Sequence, residues 1–182
     1  TVTPVNDAPT GGLAGASQEQ SADFRRRSRR NANPRIDDLF IARADGVEVA
    51  TREDEPVSLA PGEDIELIVR WPECPTEAVC GDDVCMPDEN ADDCREDCRL
   101  QRTCKGAETY ITFDPLEREI VTRREAMRIA WVATRAGLEV PRTGVTAEDD
   151  ATESRNRFVA PTTPGPVSLY VVLRDERGGT TW

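Results

Sequence analysis

Residues 165–179 read Gly165-Pro166-Val167-Ser168-Leu169-Tyr170-Val171-Val172-Leu173-Arg174-Asp175-Glu176-Arg177-Gly178-Gly179. Val167, Leu169, Val171 and Leu173 alternate with Ser168, Tyr170, Val172 and Arg174. An apolar residue at every second position is the period of a strand with one buried face. Asp175 to Gly179 then predicts a hairpin turn, because glycine accepts the positive φ that tight turns need. Thr180-Thr181-Trp182 begins a further strand.

The same period recurs twice earlier in the chain. Ile65, Leu67, Val69 and Trp71 alternate with Asp64, Glu66, Ile68 and Arg70, and Pro72, which cannot donate to a ladder, ends the run. Met127, Ile129, Trp131 and Ala133 alternate with Arg128, Ala130, Val132 and Thr134, so 126–134 reads as a strand although residues 123–128 have helical propensity. Shorter extended runs are expected at Arg35–Ile41, Tyr110–Phe113 and Arg157–Ala160, with turns at Asp45-Gly46 and Pro61-Gly62 and a polar loop over 144–155. Short strands at turn-punctuated spacing predict an all-β antiparallel sandwich. Its core is expected to rest on Trp71, Ile129, Trp131, Leu169 and Val171, each large side chain contributing ~1.5–3 kcal/mol when fully buried.

Trp131 in a central strand, then Phe158-Val159-Ala160-Pro161, then Gly165 to Asp175 and Gly178-Gly179, resembles the immunoglobulin-like PKD-type domain. That resemblance spans residues 34–182 apart from an insert at 72–107. It implies an immunoglobulin-like β-sandwich. The chain departs from antibody domains in having no cysteine in the strands that would pair across the sheets.

All six cysteines lie between Cys74 and Cys104. Between Cys80 and Cys98 the acids Asp82, Asp83, Asp88, Glu89, Asp92, Asp93, Glu96 and Asp97 face the single base Arg95. Such a segment has too few apolar residues to fold by burial alone and needs disulfides, a metal, or both. Clustered, even-numbered cysteines without any histidine favour disulfides and an oxidising compartment. Cys74 and Cys104 flank the insert beside the ends of two predicted strands, so they are expected to form its base staple. The other four, Cys80, Cys85, Cys94 and Cys98, are expected to pair internally. Four cysteines permit three pairings, and the one anticipated here is Cys80–Cys94 with Cys85–Cys98.

Cys80-Gly81-Asp82-Asp83-Val84-Cys85, then Glu89, Cys94 and Asp97-Cys98, resembles a CGDGVC-xxxE-xxxxC-xxDC repeat of secreted bacterial proteins, with Asp83 where glycine is usual. The resemblance implies a disulfide-held, calcium-binding module and no enzyme. Asp88-Glu89-Asn90-Ala91-Asp92-Asp93 begins like an EF-hand loop, but Asp93 takes the glycine position and Arg99 the position of the bidentate Glu. Calcium prefers hard oxygen ligands on a compact turn. The candidate ligands are Asp82, Glu89 and Asp97, with Asp92 or Asp93 completing the shell. The alternative is an acidic loop neutralised by Arg95, Arg99, Arg102 and Lys105.

Residues 1–33 have the composition of a flexible linker, interrupted by the basic run Arg25 to Arg30. The net charge of −12 argues against nucleic acid as a partner. Without histidine, no serine has an obvious activating base, and no phosphate-binding loop is present. No run is long and apolar enough to span a membrane. The chain lacks an initiator Met and reads as a piece of a longer exported protein. The function expected is non-catalytic: a structural or adhesive module of a bacterial surface assembly, secreted, periplasmic or on an outer-membrane lipoprotein, with other envelope proteins as partners. The alternatives are a module for carbohydrate or peptidoglycan, favoured by exposed tryptophans on one sheet face, or the accessory domain of a hydrolase, favoured by two convergent carboxylates of raised pKa.

Overall fold

The structure, a computed structural model, describes residues 13–52, 55–89, 92, 94–99, 103–135 and 137–182. The chain is mostly strand, and every strand pairing is antiparallel. One four-stranded sheet has the order β2 (Glu48–Ala50), β1 (Asp38–Ala42), β3 (Asp64–Arg70), β8 (Glu153–Val159). The second has the order β10 (Thr180–Thr181), β9 (Leu169–Arg174), β6 (Met127–Ala133), β7 (Arg142–Val145). A separate hairpin joins β4 (Thr109–Asp114) to β5 (Glu119–Arg124).

The two four-stranded sheets share one core. Ile41, Ile65, Leu67, Val69 and Phe158 from the first meet Met127, Ile129, Trp131, Val171 and Leu173 from the second. Trp71 is buried among them, and Leu169 is half-buried against the cluster. Register explains the division of faces. Ile129 lies opposite Leu173 and Trp131 opposite Val171, so one set of alternate residues points inward on both strands. The core also holds a short polar thread. Trp131 Nε1 donates to Thr143 Oγ1 at 2.8 Å, and Ser154 Oγ lies 2.8 Å from the same oxygen. Trp71 Nε1 is buried without a hydrogen-bond partner among the described residues.

Two expectations need correction. A structureless 1–33 does not hold for α1 (Gln18–Arg27). Ser17 Oγ accepts from the Gln20 amide while the Gln20 side chain accepts from the Ser17 amide, a capping box that satisfies two orphan donors. Residues 1–12 lie outside the described part. The polar loop expected over 144–155 is also too long, because β7 runs to Val145 and β8 begins at Glu153. Two of the three inward residues of β8, Ser154 and Asn156, are polar, so an apolar count does not register their burial. Strand β5 has no buried residue and therefore no alternation to read.

Candidate functional site

The chain leaves the first sheet after Trp71 and enters the insert. Disulfides join Cys74 to Cys104, Cys80 to Cys94 and Cys85 to Cys98, with Cα separations of 5.7, 5.2 and 4.7 Å. The first closes the base. There Gly106 lies so near Pro72 that a Cβ would stand 1.9 Å from the Pro72 carbonyl oxygen. The inner cystines Cys85, Cys94 and Cys98 form a small cluster separate from the main core, beside the single turn α2 (Arg95–Cys98).

The acids of the insert act as struts. Asp97, 1% exposed, accepts from the Gly81 amide at 2.6 Å and the Asp83 amide at 3.2 Å. Glu89 is buried and its Oε2 accepts from the Met86 amide at 3.1 Å, while its Oε1 has no hydrogen-bond partner among the described residues. Asp82 is exposed and turns back on the Val84 amide. Asp92 is exposed, and Asp93 lies outside the described residues. Among the described residues, Asp82, Glu89, Asp92 and Asp97 do not bring oxygens to a common point. The one group of three ligand-type atoms is Cys85, Glu89 and Cys98, and two of those sulfurs are bonded to each other.

Positive charge reaches this acidic loop from the N-terminal segment. Arg27 pairs with Asp88 at 2.6 Å and also with Asp23. Arg29 donates Nε to Cys85 Sγ at 3.0 Å and NH2 to the carbonyls of Met86 and Glu89. Burial pulls the Arg29 pKa down, against the charge of Glu89. Arg95 and Arg99, which the alternative reading has neutralising the loop, are exposed. The basic run is thus divided between α1 and the insert. An open recess of about 390 Å³ between them is lined by Asp23, Arg26, Arg27, Pro87, Asp88 and Glu89. Its arginines are engaged by Asp23 and Asp88.

A second buried charge cluster has no precedent in the sequence reading. Arg177, in the turn between β9 and β10, donates Nε to Glu125 Oε1 at 2.6 Å and NH2 to Glu108 Oε2 at 2.5 Å. Glu125 Oε2 accepts from the Glu108 amide at 3.1 Å. Buried Asp175 accepts from the Gly179 amide at 2.6 Å and from Asn31. Burial pushes Glu108 up to about 8 and Glu125 up to about 7, in spite of the guanidinium beside them. These are two convergent carboxylates of raised pKa, the feature that would favour a hydrolase. However, Glu125 is 1% exposed and Glu108 7%. Glu108 lines a cavity of about 20 Å³, room for one water. The bonds of this pair lock three chain segments together. Acids at residues 108, 125 and 175 with Arg177 are visible in the sequence, but only the sheet topology brings them together.

Trp71 and Trp131 are core residues, while Trp182 is 74% exposed. Among the described residues, no helix is long and apolar enough to cross a membrane. No family model, curated protein or solved structure matches this chain.

Proposed function

We propose that this chain is a non-catalytic, immunoglobulin-like module of a bacterial cell-surface assembly, with a disulfide-stapled insert that presents a rigid acidic loop. Strand order supports the fold reading. The arrangement β1-β3-β8 against β10-β9-β6-β7 corresponds to strands A-B-E against G-F-C-C′ of an immunoglobulin-like sandwich. The insert and the β4–β5 hairpin then occupy the connection between B and C. Three cystines, with no free cysteine among the described residues, support export to an oxidising compartment.

The observation that carries the non-catalytic reading is the sealing of the raised-pKa carboxylates. Glu108 and Glu125 serve Arg177 and a backbone amide inside the fold, and the cavity that Glu108 lines has room for one water. Calcium has less support. Asp97 spends both carboxylate oxygens on amides, and Glu89 spends one. The insert is held by cystines and by Arg27 and Arg29, without a cation being required.

The test is a panel of glycoside, ester and peptide substrates alongside adsorption of the oxidised protein to envelope preparations. Adsorption without turnover is expected. Turnover abolished by Glu125→Gln in a protein that still folds would overturn the reading.

A further inference from the structure

The outer faces of the two four-stranded sheets differ in kind. On the first, every charged row is paired internally: Arg70 with Glu48 and Glu153, Arg155 with Glu66 and Glu153, Arg157 with Asp64. On the second, the outward residues of β6 and β9 are Arg128, Ala130, Val132 and Tyr170, Val172, Arg174. Arg128 lies directly opposite Arg174, and Arg142 opposite Ala130. Among the described residues, none of these three arginine side chains makes a hydrogen bond or ion pair, in a chain of net charge −12. Two like charges directly opposite on neighbouring strands oppose folding. Beside them, Val132 is 52% exposed and Tyr170 57%, with Val132 opposite Tyr170 in register. Trp182 follows Thr181, which faces Leu173, so its position falls on the same outward face. Tyrosine, tryptophan and arginine, without lysine or acid, is the composition of a protein-binding hot spot.

The same chain carries a surface of opposite chemistry. Residues 76–83 are all exposed. Ala78 and Val79 (54% exposed) form an apolar tip, with Glu77, Asp82 and Asp83 beside it in the sequence and no Lys or Arg from residue 76 to 94. The Cys80–Cys94 bond and the Asp97 carboxylate hold this loop in place. A loop fixed before binding loses little conformational entropy when it docks.

We infer that the acidic loop at residues 76–83 of one copy docks on the arginine and aromatic face of β6 and β9 of a second copy, giving head-to-tail association. The inference rests on the assembly reading above. The two patches are different surfaces of one chain, so the contact is heterologous and propagates into an open array unless the rotation closes it. Val79 meets Val132 and Tyr170 at the centre, and Glu77 and Asp82 meet the arginines around it. A loop of eight residues buries less than a standard interface, so the affinity is weak and multiplies by avidity where copies are tethered together.

Sedimentation of the oxidised protein up to about 1 mM tests this. Wild type should form a concentration-dependent series beyond the dimer. Raising salt from about 0.15 M to about 1 M should weaken it tenfold or more, because the Debye length falls from ~8 to ~3 Å. Arg174→Glu gives Arg128 a partner within the sheet, so its melting temperature should hold or rise while association is lost. Val79→Arg, a substitution of an exposed side chain, should also remain monomeric. Mixed together, the two variants should form a one-to-one dimer and nothing larger, since each retains one competent surface. A monomer throughout the range, a closed dimer indifferent to Val79→Arg, or capture of polygalacturonate by the face without self-association would each overturn the inference. Envelope adsorption that survives Arg174→Glu would leave the assembly reading standing while this contact fails.

Discussion

Arg177 shows how one side chain decides the state of its neighbours. Burial favours the neutral form of a carboxylic acid, and one guanidinium cannot fully offset that for two of them. Glu108 and Glu125 therefore hold protons in the fold, with pKa values of about 8 and about 7, that they would release in the unfolded chain. Because the folded values lie above the unfolded ones, this stabilisation is fully present below the ordinary glutamate range near 4.5 and is lost as pH rises through 7 and 8. Thermal melting should show a falling transition temperature from pH 5 to pH 8, and Glu108→Gln should flatten that fall. Acidic stability is limited from the other side: Asp23, Asp64 and Glu153 are held below their usual range by hydrogen bonds from Arg26, Arg157 and Arg70. Their contribution disappears as pH drops through those depressed values. Arg177→Ala leaves the buried oxygens of Glu108 and Glu125 without their guanidinium donor and should cost on the order of 1–3 kcal/mol in urea unfolding, more at pH values where the two acids are charged. A loss below about 1 kcal/mol would mean that both acids are neutral without it.

Single elements of this fold were legible in the sequence to the extent that burial alternated along them. Strands β3, β6 and β9 declare themselves because Ile65, Leu67 and Val69, then Met127, Ile129 and Trp131, then Val171 and Leu173 recur at every second position on the buried face. Strand β8 hides behind Ser154 and Asn156, whose burial is made tolerable by partners on Thr143 and Val140. Helix α1 is hidden for a different reason. Its helical stretch has few apolar residues, and it is fixed by its cap and by contacts far away in sequence, such as Gln20 with Arg118 and Arg27 with Asp88. A linker-like composition says nothing about such contacts. The same holds at the insert, where the acids were visible but their partners were not. Arg29→Ala should destabilise the protein by about 1–3 kcal/mol, because the Glu89 carbonyl loses its Arg29 donor and the Met86 carbonyl is left with the Glu89 amide. Deleting residues 1–30 should then lower the melting temperature markedly, which a linker would not do. For the acids themselves, calorimetry with calcium on chelator-treated, oxidised protein should show no shift in melting temperature. A rise of several degrees would mean that the insert gathers its carboxylates around the ion.

At the scale of the whole molecule, two apolar clusters do not overlap. The sheets enclose Trp71, Trp131, Phe158, Leu67 and their neighbours, whereas Cys85, Cys94 and Cys98 form a small cluster of their own. Burial can hold the first cluster without cystines; it cannot hold the second. Reduction should therefore act in two parts. The insert should melt at once and become open to proteolysis between residues 75 and 103. The sheets should lose only the loop-closure contribution of Cys74–Cys104, roughly 3–4 kcal/mol for a sequence separation of 30. That is smaller than the ~5–15 kcal/mol typical of a folded domain, so the sheets should survive it at room temperature. Tryptophan fluorescence separates the two events, because Trp71 and Trp131 report on the core while exposed Trp182 supplies the quenchable fraction. Reduction and alkylation should leave the shielded emission of Trp71 and Trp131 in place, with a lower urea midpoint. Simultaneous loss of that emission would mean that the core and the insert fold as one cooperative unit, joined through Cys74–Cys104 and the Arg29 and Arg177 contacts.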